Sequence, residues 1–104
     1  MRCCRFTGTV SKGTTSYQIF TVQQQGQVDL TLTKTDPLAT VTLGIGISQT
    51  SANLCIPVLL AYNNAAQAGT VMSGTAAPGS YCTVVYDVGN VSDTVNYTVT
   101  VVHP

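Results

Sequence analysis

Apolar and polar residues alternate along almost the whole chain, and a repeat of two describes a strand with one buried face, not a helix with its repeat of 3.6. Phe20 and Val22, then Val28, Leu30 and Leu32, then Val41, Leu43, Ile45 and Ile47 each fall on one side of such a strand. Gln18, Thr21, Asp29, Thr31, Thr33, Thr40 and Thr42 take the solvent side. Val95, Tyr97, Val99 and Val101 alternate near the end of the chain, while Tyr81-Cys82-Thr83-Val84-Val85-Tyr86 is almost continuously apolar, as in a strand covered on both faces.

Turn residues punctuate these runs: Lys12-Gly13, Gln25-Gly26, Asp36-Pro37, Asn63-Asn64, Gly69, Pro78-Gly79 and Gly89-Asn90. Strands are predicted near 5–10, 16–23, 27–34, 40–48, 55–62, 69–75, 80–88 and 94–103. The Asn pair within 61–69 predicts an irregular connection there. Short strands at such spacing predict an all-β fold, a two-sheet antiparallel β-sandwich of jelly-roll or Ig-like topology with seven to eight strands. A chain of 104 residues holds one core, so residues 1–104 are expected to form a single domain. Residues 1–15 are read as an N-terminal segment that is either mobile or paired with a partner. The strand-forming stretch with Phe6 and Val10 either pairs within its own domain or adds to a neighbouring copy's sheet.

Four Lys and Arg balance four Asp, and charged residues make up 8% of the chain, against roughly 25% in ordinary domains. Without clustered cations, neither a phosphate backbone nor an anionic membrane is an expected partner. The longest apolar run, Val58 to Tyr62, falls far short of the roughly 18 residues of a membrane span. Low charge at zero net charge also protects poorly against self-association, and sandwich edges are usually guarded by Lys, of which there are only Lys12 and Lys34. Copies of the same chain are therefore expected partners.

Cys55 and Cys82 show neither paired C-x-x-C spacing nor a neighbouring His, so a disulfide is predicted, with two buried thiols as the alternative. Such a bridge implies an oxidising compartment, and hence an extracellular or cell-surface location. Met1 to Arg5 contain no apolar stretch of the kind that directs secretion, so either a signal was removed, the start was misassigned, or export takes another route. Adjacent Cys3 and Cys4 do not easily bridge each other. They are read as forming intermolecular disulfides between copies, an alternative bridge within the chain, or free or lipid-modified thiols.

The chain has no Glu, its four Asp are dispersed, and its one His is His103, expected as a solvated terminal residue. Neither a carboxylate pair nor a nucleophile with a base is apparent, and no catalytic residue or cofactor is expected. Asp87 and Asp93 are read as turn caps, with a calcium site as the weaker alternative. Gly44 and Gly46 interrupt a strong strand and suit a backbone or ring lying close above them, or a ligand platform. Of the five tyrosines, Tyr17, Tyr62, Tyr81, Tyr86 and Tyr97, most are expected in the core; an exposed row of them would stack on sugar rings.

The segments YQIFTVQQQGQVDLTLTKTDP (Tyr17–Pro37), PGSYCTVVYDVG (Pro78–Gly89) and VNYTVTV (Val95–Val101) resemble the bacterial pre-peptidase C-terminal domain, a secreted β-sandwich found beside exported peptidases. The resemblance spans Tyr17 to Val101 and implies an accessory module that binds a carbohydrate or a secreted partner protein. It departs where the family carries an acidic D-x-D-L-like stretch, here Thr40-Val41-Thr42-Leu43-Gly44-Ile45, so no functional residue is transferred. An immunoglobulin domain fits less well, because there is no Trp and Tyr81 directly precedes Cys82. Together these features predict a non-catalytic extracellular module acting through protein contacts, including assembly into multimers or filaments, with carbohydrate or partner binding as the alternative.

Overall fold

In the computed structural model, which describes residues 2–36, 41–52 and 54–104, every regular element is a strand. In chain order they are β1 (Arg2–Val10), β2 (Thr15–Val22), β3 (Gly26–Asp36), β4 (Leu43–Ser51), β5 (Leu54–Ala66), β6 (Val71–Ala76), β7 (Gly79–Tyr86) and β8 (Val95–His103). They form two four-stranded antiparallel sheets, ordered β1-β8-β3-β6 and β2-β7-β4-β5. Successive strands change sheet at every step except the β4–β5 hairpin. That winding is the jelly roll, and it decides between the two predicted topologies.

The alternation read from sequence becomes burial. Along β8, Val95, Tyr97, Val99, Val101 and His103 are all buried, while the residues between them are exposed or half-buried. They meet Leu30 and Leu32 of β3, and Phe20, Val22, Leu43, Ile45 and Val85 of the facing sheet, in one core. Burying each such aliphatic or aromatic side chain contributes about 1.5–3 kcal/mol, so the sheets are held together mainly by this shared layer.

One alternative is decided and two expectations change. The segment with Phe6 and Val10 is a strand of its own sheet, with Phe6 opposite Val99 and Val10 opposite Val95 on β8. Val10 is fully buried and Phe6 packs against the core, so leaving for a neighbour's sheet would expose both. Residues 61–66 continue β5 rather than forming a loop. The register of β5 on β4 shifts between Leu43 and Ile45, which absorbs the Asn pair, and Asn63 Oδ1 accepts the Ala65 N–H at 2.8 Å. The turn falls instead at Gln67 to Thr70, where Thr70 N donates to Gln67 O at 2.9 Å and Gly69 takes a φ of 98°. Third, His103 is not solvated: it is 2% exposed, on the inward side of β8.

Cys55 and Cys82 form the predicted disulfide, with Cα atoms 6.0 Å apart. The bridge ties β5 to β7 although β4 lies between them, and it sits where the β4–β5 pairing slips between Ser48 and Thr50. Closing a loop with a sequence separation of 27 residues contributes about 3.5 kcal/mol through the unfolded chain's lost entropy.

Candidate functional site

The outward face of the β2-β7-β4-β5 sheet carries the candidate site, and strand register builds it. Tyr17 on β2 stands opposite Val84 on β7, Val84 opposite Gly46 on β4, and Gly46 opposite Tyr62 on β5. One row across four strands thus places a tyrosine at each end and small or aliphatic residues between them. The end strands are three inter-strand spacings apart, about 14 Å. In the next row, Thr15 faces Tyr86 and Tyr86 faces Gly44. Thr15, Tyr17, Leu59, Tyr62, Asn64, Val84 and Tyr86 line a recess of about 400 Å³. That volume lies within the roughly 300–1,000 Å³ of small-ligand sites.

Two glycines of β4 lie beneath the residues that line it. A Cβ on Gly44 would overlap the Tyr86 ring, and one on Gly46 would lie 2.7 Å from the Ala61 carbonyl oxygen. Only glycine lets the Tyr86 ring lie flat over β4 and lets β5 approach this closely. The Tyr86 hydroxyl donates to Asn64 Oδ1, tying the ring to β5. Burial raises the Tyr86 phenol above its ordinary value, and the neighbouring Tyr62 phenol adds to the rise, so the ring stays neutral. Tyr17 and Tyr62 are 38% and 60% exposed. No charged residue occurs in the sequence between Asp36 and Asp87, so β4, β5, β6 and β7 are uncharged throughout. The recess offers ring faces, aliphatic carbon, a hydroxyl and an amide, the complement of a neutral ligand with C–H faces and hydroxyl edges.

The remaining tyrosines serve the core. Tyr97 is buried with its hydroxyl 2.6 Å from Ser16 Oγ, and Tyr81 donates to the Ala77 carbonyl at 2.7 Å while packing 5.9 Å from the Phe20 ring. Strand parity already set Tyr97 on the inward face with Val95, Val99 and Val101, whereas grouping Tyr17, Tyr62 and Tyr86 depends on which strands neighbour one another.

Asp87 acts as a cap. Its carboxylate accepts backbone N–H groups from Gly13 (2.9 Å), Gly89 (2.7 Å), Asn90 (3.0 Å) and Val91 (3.1 Å), which ties the β1–β2 turn to the loop after β7. These bonds, that from Gly13 foremost, hold its carboxyl below the ordinary value of 3.8. Asp93 is exposed, and among the described residues no three His, Cys, Asp or Glu side chains cluster as metal ligands. Cys4 is a free, half-buried thiol with Sγ 3.5 Å from His103 Nε2, while the Cys3 side chain lies outside the described residues. A second, smaller cavity of about 170 Å³ opens where β5 and β6 edge the two sheets, lined by Val28, Ile47, Leu60, Met72 and Tyr81 among others.

Compared with known proteins, the chain matches no protein-family model and no curated protein.

Proposed function

We propose that the chain is a non-catalytic extracellular binding module that holds a neutral carbohydrate in the tyrosine-walled recess of its β2-β7-β4-β5 sheet. The observation that carries this reading is the cross-strand row Tyr17–Val84–Gly46–Tyr62 with Tyr86 beside it, two exposed tyrosines at the ends of an uncharged row. A sugar's ring face carries polarised C–H groups that suit the negative face of a phenol, and its hydroxyls suit Asn64 and Thr15. The Cys55–Cys82 bridge supports an oxidising, extracellular setting, in keeping with the resemblance to a secreted accessory domain.

Affinity electrophoresis through gels containing a panel of neutral and anionic polysaccharides tests the reading. The expected result is retardation by at least one neutral polysaccharide, weakened about tenfold by Tyr17→Ala or Tyr62→Ala. A wild-type protein that runs unretarded through every neutral gel contradicts it.

A second reading, assembly of copies of the chain, is favoured by the free edge of β5. Leu54 there is 69% exposed, Leu59 and Leu60 are exposed as well, and no Lys or other charge guards the strand. Sedimentation velocity at high protein concentration separates the two readings, since a strict monomer excludes assembly and leaves sugar binding untouched.

A further inference from the structure

The pairing of β1 with β8 brings the free thiol and the histidine together on the inward side of their sheet, with Cys4 opposite Val101 and His103 one step further along. Cys4 Sγ lies 3.5 Å from His103 Nε2, and the other ring nitrogen, Nδ1, lies 2.9 Å from the backbone oxygen of Pro104. That oxygen can only accept, so Nδ1 is the donor to it, and Nε2 is the nitrogen that faces the thiol. Burial fixes the ring in place, and so does the Phe20 ring, whose centroid is 5.4 Å away. Cys4 as a residue is half-buried, at the margin of the core it packs against. Nucleophile, base and a third group that orients the base therefore stand in line, which is the constellation that activates a sulfur nucleophile. It lies in the other sheet from the tyrosine recess and is independent of what that recess binds.

We propose that Cys4 is an exchange-active thiol, assisted by His103 as general base, that forms a mixed disulfide with a disulfide-bearing reagent. As Sγ attacks one sulfur of the incoming disulfide, its proton passes to His103 Nε2. A Cys4–sulfur bond forms, the reagent's sulfur–sulfur bond breaks, and the departing thiolate takes the proton back from Nε2. Cys4 is oxidised, half of the reagent is reduced, and no further oxidant enters. A low-molecular-weight disulfide and a disulfide on a second copy of the chain share this chemistry.

The test uses the full chain carrying Cys3→Ser, with oxidised glutathione as the probe at pH 7 and intact mass as the readout. Native protein should form the adduct faster than the same chain unfolded in urea, where His103 no longer faces the thiol. His103→Gln should slow the native reaction about tenfold or more while the circular dichroism spectrum is retained. If that variant does not fold, the native-to-unfolded comparison decides alone. Native protein reacting more slowly than the unfolded chain marks a sequestered structural thiol and overturns the proposal, as does a folded His103→Gln reacting at the wild-type rate. Disulfide-linked dimers on a non-reducing gel, formed in the absence of glutathione and of air and slowed by the same variant, identify the second copy as the source of the disulfide.

Discussion

Adding one methyl group at Gly44 probes the seat of the Tyr86 ring. Gly44 and Tyr86 are direct cross-strand partners, and a Cβ at residue 44 would occupy space that the Tyr86 ring fills. In Gly44→Ala the ring has to rotate away from β4, which breaks its hydrogen bond to Asn64 and exposes part of a phenol that is half-buried in the wild type. Overpacking of this kind costs about 1–3 kcal/mol. For a domain of this size each kcal/mol corresponds to roughly 4–8 °C, so the melting temperature should fall by about 4–24 °C. The sharper measurement is a double-mutant cycle with Tyr86→Ala. With the ring removed the added methyl meets no overlap, and replacing glycine within a strand then becomes favourable by about 0.5–1 kcal/mol. Thermal melts followed by circular dichroism should therefore show Gly44→Ala destabilising in the wild-type background and neutral or stabilising in the Tyr86→Ala background. An equal loss in both backgrounds, or no loss in either, would refute the placement of Tyr86 over β4.

Replacing Cys55 and Cys82 together by Ala should lower stability by about 3.5 kcal/mol, read as a shifted urea midpoint, with the β-sheet spectrum preserved in native buffer. Leu30→Ala, in the fully buried centre of β3, should cost about 2–5 kcal/mol in the same assay, whereas Thr33→Ala on the outward side should change little. The carboxyl of Asp87 is held below its ordinary value by its N–H donors, so it stabilises the fold when ionised. That contribution is complete above pH 3.8, and it is lost as the pH falls through the lower folded value. Asp87→Asn should therefore be less stable than wild type at pH 6, with the gap narrowing in urea melts taken progressively below pH 4.

The strands were legible because a repeat of two survives any topology. Val28, Leu30 and Leu32 point inward whatever β3 pairs with. The same parity holds the answer for His103, which continues the set Val95, Tyr97, Val99 and Val101. Position near the chain end argued for solvent, and strand parity prevailed. Residues 63–64 read as a loop because Asn is a poor strand former. A register shift and a local side-chain bond keep β5 extended there, and neither leaves a mark in sequence. The recess was legible only in its parts. Gly44 and Gly46 signalled a ring or backbone close above them, and the tyrosines signalled aromatic surface. The order β2-β7-β4-β5 is what assembles Tyr17, Tyr62 and Tyr86 around those glycines, and that order follows from how the whole chain winds. Alternation assigns a residue to a face, but it does not say which strand lies next door.

An NMR titration of the ¹⁵N-labelled chain with neutral oligosaccharides tests the central claim most directly, because it reports both binding and its location. The account predicts saturable shift changes centred on Tyr17, Tyr62, Asn64, Val84 and Tyr86, and their loss in Tyr17→Ala. Saturable changes confined to the β1-β8-β3-β6 sheet, or no changes with any neutral sugar, would contradict it.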